Sequence, residues 1–488
     1  MTIDYADIQG RVLPPQNFCV QSVCFRRIID VASARQALAK LVGEITTAQN
    51  AIDDFLAADD DRRRELSLVN VGLTYAGMLA LNSRMSGVSY EAFKEGLAAR
   101  SRIIGSQRPG GHAEIDKWEV VDGNWPGAEE RTAHLIVLVC GFDRAAVARK
   151  AFRVCRSLSG TTPVGFSSSV LPGEDRGAYL GESSAELREH FGFLDAISEP
   201  LKADKDGVDI IWHRRPQSDV AKLELGRFLV GLSGGRTEPL AGGVSSNSLA
   251  GIFRGGSFLV FLRLHQDVYR FHRFCTAASL WMSDEHGLFI PPLSIAEQLV
   301  GRTIDGRPLV PYNNSDINDF SFGGRSASFC PHSAHIRKAN PRSPDRFSPR
   351  ALTRRGMPYG PKSPSSFERP IQDYVERGMQ FIALMTSIEE QFEATMRRIN
   401  GVDQIHQKQN GKQALLKARI VDGLVGSNFE GTDDRYIVLR SRDKRKKKIS
   451  VTVNPRTISP SCSGWCWPNA GGYFFLPTIA GFRQLISG

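Results

Sequence analysis

The sequence predicts an α+β protein made of two related domains, each an antiparallel sheet backed by helices. Three observations predict it. Strand-then-helix units recur, their spacing is nearly the same in both halves, and a stretch rich in Gly and Ser parts the halves. A chain of 488 residues also suits two cores better than one, because single cores stop growing at roughly 250–300 residues.

The first unit opens with NFCVQSVCF (17–25), a run of strand character, and continues into a helical stretch over Val31–Ile45. HLIVLVCGF (134–142) is the next strand. In the segment after it, Val147, Ala151, Val154 and Leu158 fall at i, i+4, i+7 and i+11, the stripe of a helix with one buried face. The back half repeats the pattern. SFLVFLRL (257–264) leads into a helix around Val268–Trp281, and GMQFIALM (378–385) leads into SIEEQFEATMRRI. In that last segment Ile388, Phe392, Met396 and Ile399 fall at i, i+4, i+8 and i+11. Strand onset to strand onset is 117 residues in front (17 to 134) and 121 behind (257 to 378). The boundary is expected within 215–250, giving domains of residues 1–230 and 231–488.

Two loops are irregular. Residues 338–370 carry seven prolines, from Pro341 to Pro370, which forbids long helices or central strands there. DKRKKK (443–448) is a basic run before ISVTV and reads as a solvated hairpin tip; aromatics are not interleaved with its charges as single-strand binding needs.

Composition narrows the class. Apolar residues are 41% and charged residues 23%, which excludes a disordered or fibrous chain. Sixty-two Lys and Arg against 52 Asp and Glu leave a net charge of +10, favouring an anionic ligand or substrate. No stretch approaches the roughly 18 consecutive apolar residues of a membrane span. MTIDYADIQG lacks the basic start and apolar run of a signal peptide, so a soluble, cytoplasmic protein is expected. The eight cysteines read as reduced thiols, and CSGWC (462–466) is off the CxxC spacing of zinc sites.

Neither GxxxxGK[ST], a strand-linked GxGxxG nor HExxH occurs, which removes the commonest nucleotide and zinc-protease readings. Two polar–aromatic clusters remain, HFGFLDAISEP (190–200) and CPHSAHIRKANPR (330–342), followed by RRGMPYGP (354–361). Asp195 sits among Phe191, Phe193 and Ile197. A lone Asp in such a place is more often a turn or cap residue, but an apolar pocket would let it exchange protons near neutral pH. His335 has a plain reading as a buried, hydrogen-bonded histidine; a neutral histidine is also the usual ligand of iron. Residues 331–370 hold nine Lys or Arg against two acids, a setting for an apolar cofactor bearing carboxylates, an anionic substrate or a phosphate.

These clusters resemble the signatures of the dye-decolorizing peroxidase family. HFGFLDAISEP resembles its distal GxxDG segment, CPHSAHIRKANPR the segment bearing the proximal haem histidine, and RRGMPYG the segment bearing the distal arginine. Weaker echoes run through most of the chain: ADIQG (6–10), NVGLTYAGMLAL (70–81), GSFLVFLRLHQDV (256–268) and GGYFFLPTI near the end. The resemblance implies two ferredoxin-like domains enclosing one haem b, with Asp195 as the distal acid, Arg354 as the distal arginine and His335 as the axial ligand. It makes Arg355 the lesser candidate arginine, and Glu389, with Glu390 as fallback, the acid that hydrogen-bonds the proximal histidine. It further implies a peroxidase that reduces hydrogen peroxide and oxidises bulky aromatic or dye-like substrates in one-electron steps. Neither membrane nor nucleic-acid partners are implied, and a homo-oligomer stays open.

Two departures stand out. Ala196 replaces the motif's second glycine, which costs about 1 kcal/mol if the backbone there needs φ > 0. His332 stands where the family has an aromatic or small residue, and reads as a loop residue. A haem carrier on the same fold and a basic nucleic-acid-binding protein are the rival readings.

Overall fold

The computed structural model describes residues 4–13, 18–57, 65–101, 115–123, 125–166, 171–178, 187–195, 197, 202–203, 223–232, 247–312, 317–322, 330–342, 350–401, 406–409, 412–415, 419–425, 435–442, 448–458 and 464–488. In the front half, β1 (Val20–Ile28), β2 (Ser67–Leu73), β3 (Leu135–Gly141) and β4 (Thr161–Pro163) lie in the order β4-β1-β3-β2, and β5 (Glu174–Ala178) also pairs β1. The back half holds β6 (Ser257–Gln266), β7 (Thr353–Arg354), β8 (Met357–Tyr359) and β9 (Gly378–Met385). A separate hairpin follows, β10 (Arg435–Arg442) and β11 (Lys448–Val453), and then the last strand, β12 (Cys466–Leu476). There the order is β12-β6-β9-β8, with β7 also on β9. In each half the last main strand lies beside the first, and the first beside the third. That is the order of a ferredoxin-like unit, and all these pairings are antiparallel.

The two sets meet edge to edge. β2 and β12 share one pair, Phe475 with Leu73. Gln9 reinforces the seam: its Nε2 donates to Val71 O and Pro477 O, each at 2.9 Å, and its Oε1 accepts from Val71 N. A side-chain amide thus supplies bonds where the ladder is shortest.

Helices cover the sheet as the periodicities predict. α1 (Val31–Leu41) is capped by Asp30, whose side chain accepts from Ala32 N; it ends earlier than expected and a 3-10 turn, Val42–Glu44, follows. α2 is Glu91–Ala99. α3 (Arg144–Ser157) starts on Asp143, whose carboxylate accepts from Ala146 N, and Val147, Ala151, Val154 and Leu158 are all buried. α4 (Val268–His286) runs longer than its sequence stripe and stops at Gly287, where φ is 62°. α5 is Pro292–Val300, α6 is His335–Ala339 and α7 is Ala394–Ile399. Before α7 the chain forms a π-turn over Ile388–Glu393 instead of the single helix its stripe suggests. The extra residue in that turn shifts the face, so Met396 is only partly buried.

The apolar clusters explain the layering. One lies under α1 and α3, a second lines the opposite sheet face, and a third gathers α4 and α5 around Phe191 and Phe193. Among the described residues of 338–370 only α6, β7 and β8 are regular, and Pro358 sits in β8 at the sheet edge. The basic tip 443–447 lies outside the described residues, while its flanks pair through Arg442 and Lys448. The expected domain boundary and Cys462 lie largely or wholly outside them too. Among the described residues no helix is long and apolar enough to cross a membrane.

Candidate active site

Pro331 and Pro341 bracket the segment that carries His335, which limits its helix, α6, to five residues with His335 first. His332 lies in the preceding turn and not on the helix, as its reading as a loop residue expects. Burial, with Arg337, Arg440 and Lys338 adding to it, pushes the His332 imidazole down to about 4.

His335 Nδ1 lies 2.8 Å from Asp422 Oδ2. Two acceptors cannot share so short a contact, so the ring proton is on Nδ1 and Nε2 carries the lone pair. The Asp422 side chain is fully buried while that of His335 is 28% exposed. Asp422 is itself held. Its Oδ1 accepts from Leu424 N and Val425 N at 2.8 and 2.9 Å, and its own N donates to Ile399 O at 2.8 Å. Next to it, Gly423 N donates to Ser333 O; a Cβ at 423 would lie 2.6 Å from Leu299 Cδ2, so glycine permits the approach.

This arrangement corrects one expectation. Glu389 is not the partner of His335: its Oε1 accepts from Ala92 N at 2.9 Å, at the first turn of α2. It lines a narrow crevice with Tyr90, Phe93, Phe258 and Ser387. Glu390 is exposed. Within the π-turn Glu389 is directed to α2, and Asp422, 87 residues after His335, takes the imidazole. Its only local mark in the sequence is the Asp-Gly pair of IVDGLV, which reads as an ordinary turn.

On the distal side Glu189 builds the loop. It is half-buried, and its oxygens accept from Phe191 N, Phe193 N and Gln266 Nε2 at 2.8–2.9 Å. Burial pushes its carboxyl up to about 7, opposed by those three donors. Gly192 takes the turn at φ 97°, and Phe191 stacks on Phe271 with ring centres 4.2 Å apart. His190 Nε2 meets Tyr359 O at 2.7 Å. Asp195 follows, half-buried, its N donating to Leu187 O; its carboxylate has no hydrogen-bond partner among the described residues. Ala196 lies outside them.

Arg354 is on β7 opposite Ala383 and is exposed, whereas Arg355 is buried. Successive strand residues face opposite ways. Arg355 Nε donates to Arg11 O and its Nη1 to Arg354 O, while Arg11 Nη2 returns a bond to Arg355 O. Arg355 is therefore built into the core, and Arg354 is the arginine turned outward.

The three segments share supports. Leu194 N donates to Ile304 O, and Gly301, at φ 95°, backs onto Ile336 and Ala334, so the Asp195 loop and the His335 helix rest on one connection, 301–306. Ala351, just before β7, accepts from Gln391 in the π-turn, and α7 beyond it bonds to α6. Asp195, His335 and Arg354 thus stand on linked elements.

The donor set fits a haem. Among the described residues no group of three or more His, Cys, Asp or Glu could hold a bare metal ion. A haem iron would need a single protein ligand, and His335 Nε2 is a group that could supply it. Arg302, Arg337, Lys338, Arg342 and Arg440 crowd the same region and suit a cofactor with carboxylate arms.

No protein-family model matches the chain. It is 25% identical to dye-decolorizing peroxidase msp1 of Mycetinis scorodonius, covering 99% of this chain and 88% of that protein. Multifunctional dye peroxidase DyP2 of an Amycolatopsis strain is 26% identical over 95% of this chain and 92% of its own. An ancestral D-type dye-decolorizing peroxidase superposes with a TM-score of 0.71 at 25% identity, covering 99% of this chain and 98% of that one.

This chain is a homologue of the dye-decolorizing peroxidases.

A dye-decolorizing peroxidase solved in complex with 2,6-dimethoxyphenol has the same fold, with a TM-score of 0.70 over the whole of both chains at 21% identity. The α+β architecture expected from the sequence is thus the dye-decolorizing peroxidase fold.

Proposed function

We propose that the chain is a haem-dependent peroxidase that holds one haem b, reduces hydrogen peroxide and oxidises bulky aromatic or dye-like substrates in one-electron steps. The observation that carries this reading is the 2.8 Å contact of His335 with buried Asp422. It fixes the imidazole tautomer and makes Nε2 a strong donor to iron. The haem, when bound, supplies the redox chemistry; the side chains orient it and move protons.

Asp195 would take a proton from one oxygen of hydrogen peroxide and return it to the other, while the redox change would fall to the haem. A positioned acid–base group contributes about 10²–10⁴ in rate. Arg354 stays protonated and cannot be the base. Its exposed guanidinium instead stabilises negative charge on the reacting oxygens. Asp422 keeps the proton on Nδ1 throughout. The homologous dye peroxidases support the substrate class.

The test is spectral. His335→Ala is expected to weaken haem retention or change the Soret band, with loss of peroxide-dependent oxidation of an anthraquinone dye. A wild-type spectrum and activity in that variant would overturn the ligand assignment.

A further inference from the structure

We infer that Arg398 is a positioning residue for the His335–Asp422 pair. This rests on the reading of His335 as an axial ligand. The observation is that two adjacent residues of α7 hold both members of the pair. Arg398 Nε donates to Lys338 O at 2.5 Å and its Nη2 to Ala339 O at 3.0 Å, at the end of α6. Its Nη2 also reaches Thr395 Oγ1 at 3.3 Å, one turn back on its own helix. The next residue, Ile399, takes the Asp422 N–H on its carbonyl at 2.8 Å.

A five-residue helix has almost no stability of its own, because its last carbonyls lack helical donors. Asn340 N caps Ile336 O, and Pro341 then ends the donor supply. The Arg398 fork supplies two further donors to that end, in charge-assisted bonds, and places positive charge at the negative pole of the helix. His335 is the first residue of this short element, so any roll or slide of α6 moves the imidazole. Asp422 is anchored to the same turn of α7. The separation of Nδ1 from Oδ2 is therefore set by residues 398 and 399 together. Loss of the fork frees α6 while Asp422 stays in place, and the 2.8 Å contact lengthens.

A shorter contact gives the ligand more imidazolate character and favours the ferric state of the bound iron. Arg398 acts on the iron only through this contact. It touches neither substrate nor cofactor.

The experiment uses haem-loaded protein and reads the iron–histidine stretching band of the ferrous form by resonance Raman, and the ferric/ferrous midpoint potential by spectroelectrochemistry. Asp422→Asn supplies the reference shift. Arg398→Ala is expected to move the band to lower frequency and the potential upward, as Asp422→Asn does. Arg398→Lys, with one charged donor in place of the fork, is expected to fall between wild type and Arg398→Ala. In the double variant, Arg398→Ala is expected to add nothing to Asp422→Asn. Where Arg398→Ala does not fold, Arg398→Lys carries the test, and an intermediate shift is required. An unshifted band and potential in a folded Arg398 variant, with His335→Ala still altering the Soret band, overturn this proposal alone. A wild-type spectrum in His335→Ala overturns the ligand reading and this proposal with it.

Discussion

A carboxylate with no bound donor exchanges a proton readily, whereas one tied to several donors is part of the scaffold. Asp195 and Glu189, six residues apart, divide along that line. Glu189 holds three donors and shapes the loop; Asp195 has none among the described residues and stands at its end. Replacing Asp195 by Asn is therefore expected to slow the reaction with hydrogen peroxide by about 10²–10⁴ while haem content stays the same. Arg354→Leu is expected to slow it in the same way. Stopped-flow absorbance checks both, and an unchanged rate constant in either removes that residue from the chemistry. At this scale His335, Asp195 and Arg354 are proposed from compact local motifs. Asp422 is not. Its bond to His335 spans 87 residues, and no local pattern records a contact between two distant side chains. The resemblance pointed to Glu389, but that residue lies in a π-turn and accepts from Ala92 N instead.

Elements with continuous apolar runs or a clean helical stripe were legible: β1, β3, β6, β9, α1, α3 and α4 all lie where the residues indicate. β12 was hidden. Pro468, Asn469, Gly471 and Gly472 interrupt its pattern, and the register shifts between Pro468 and Ala470. Within the loop before Asp195, the half-buried Glu189 makes a pH prediction. Its carboxyl is raised from 4.5 to about 7, so between those values the folded protein binds more protons than the unfolded chain. Stability from this group is then fully present below about pH 4.5 and is lost as pH rises toward 7. Glu189→Gln cannot titrate, and is expected to lose less stability than wild type over that interval. Urea unfolding at several pH values reads the difference directly; parallel curves for the two proteins would show that Glu189 stays ionised throughout.

For the whole molecule, the proposed site draws on residues 195, 335, 354 and 422, which lie far apart in the chain. A cofactor that binds the native state alone stabilises it by mass action, by about 4 kcal/mol at a thousandfold excess over its dissociation constant. Haem-loaded protein is therefore expected to unfold at higher temperature than haem-free protein, as calorimetry can measure; equal midpoints would contradict a site built across the fold. The repeated strand order was foreshadowed by the matching spacing of the two halves. Their union into one sheet was not, because a seam of a single residue pair leaves no periodic trace.

Gln9 and Arg11 consequently behave as a keystone. Gln9 bridges the two ladders where they barely touch, and Arg11 grips the backbone beside the outward-facing guanidinium at 354. Loss of these two side chains would therefore weaken the seam and the arginine strand together, so damage in this segment would be felt in both halves of the sheet.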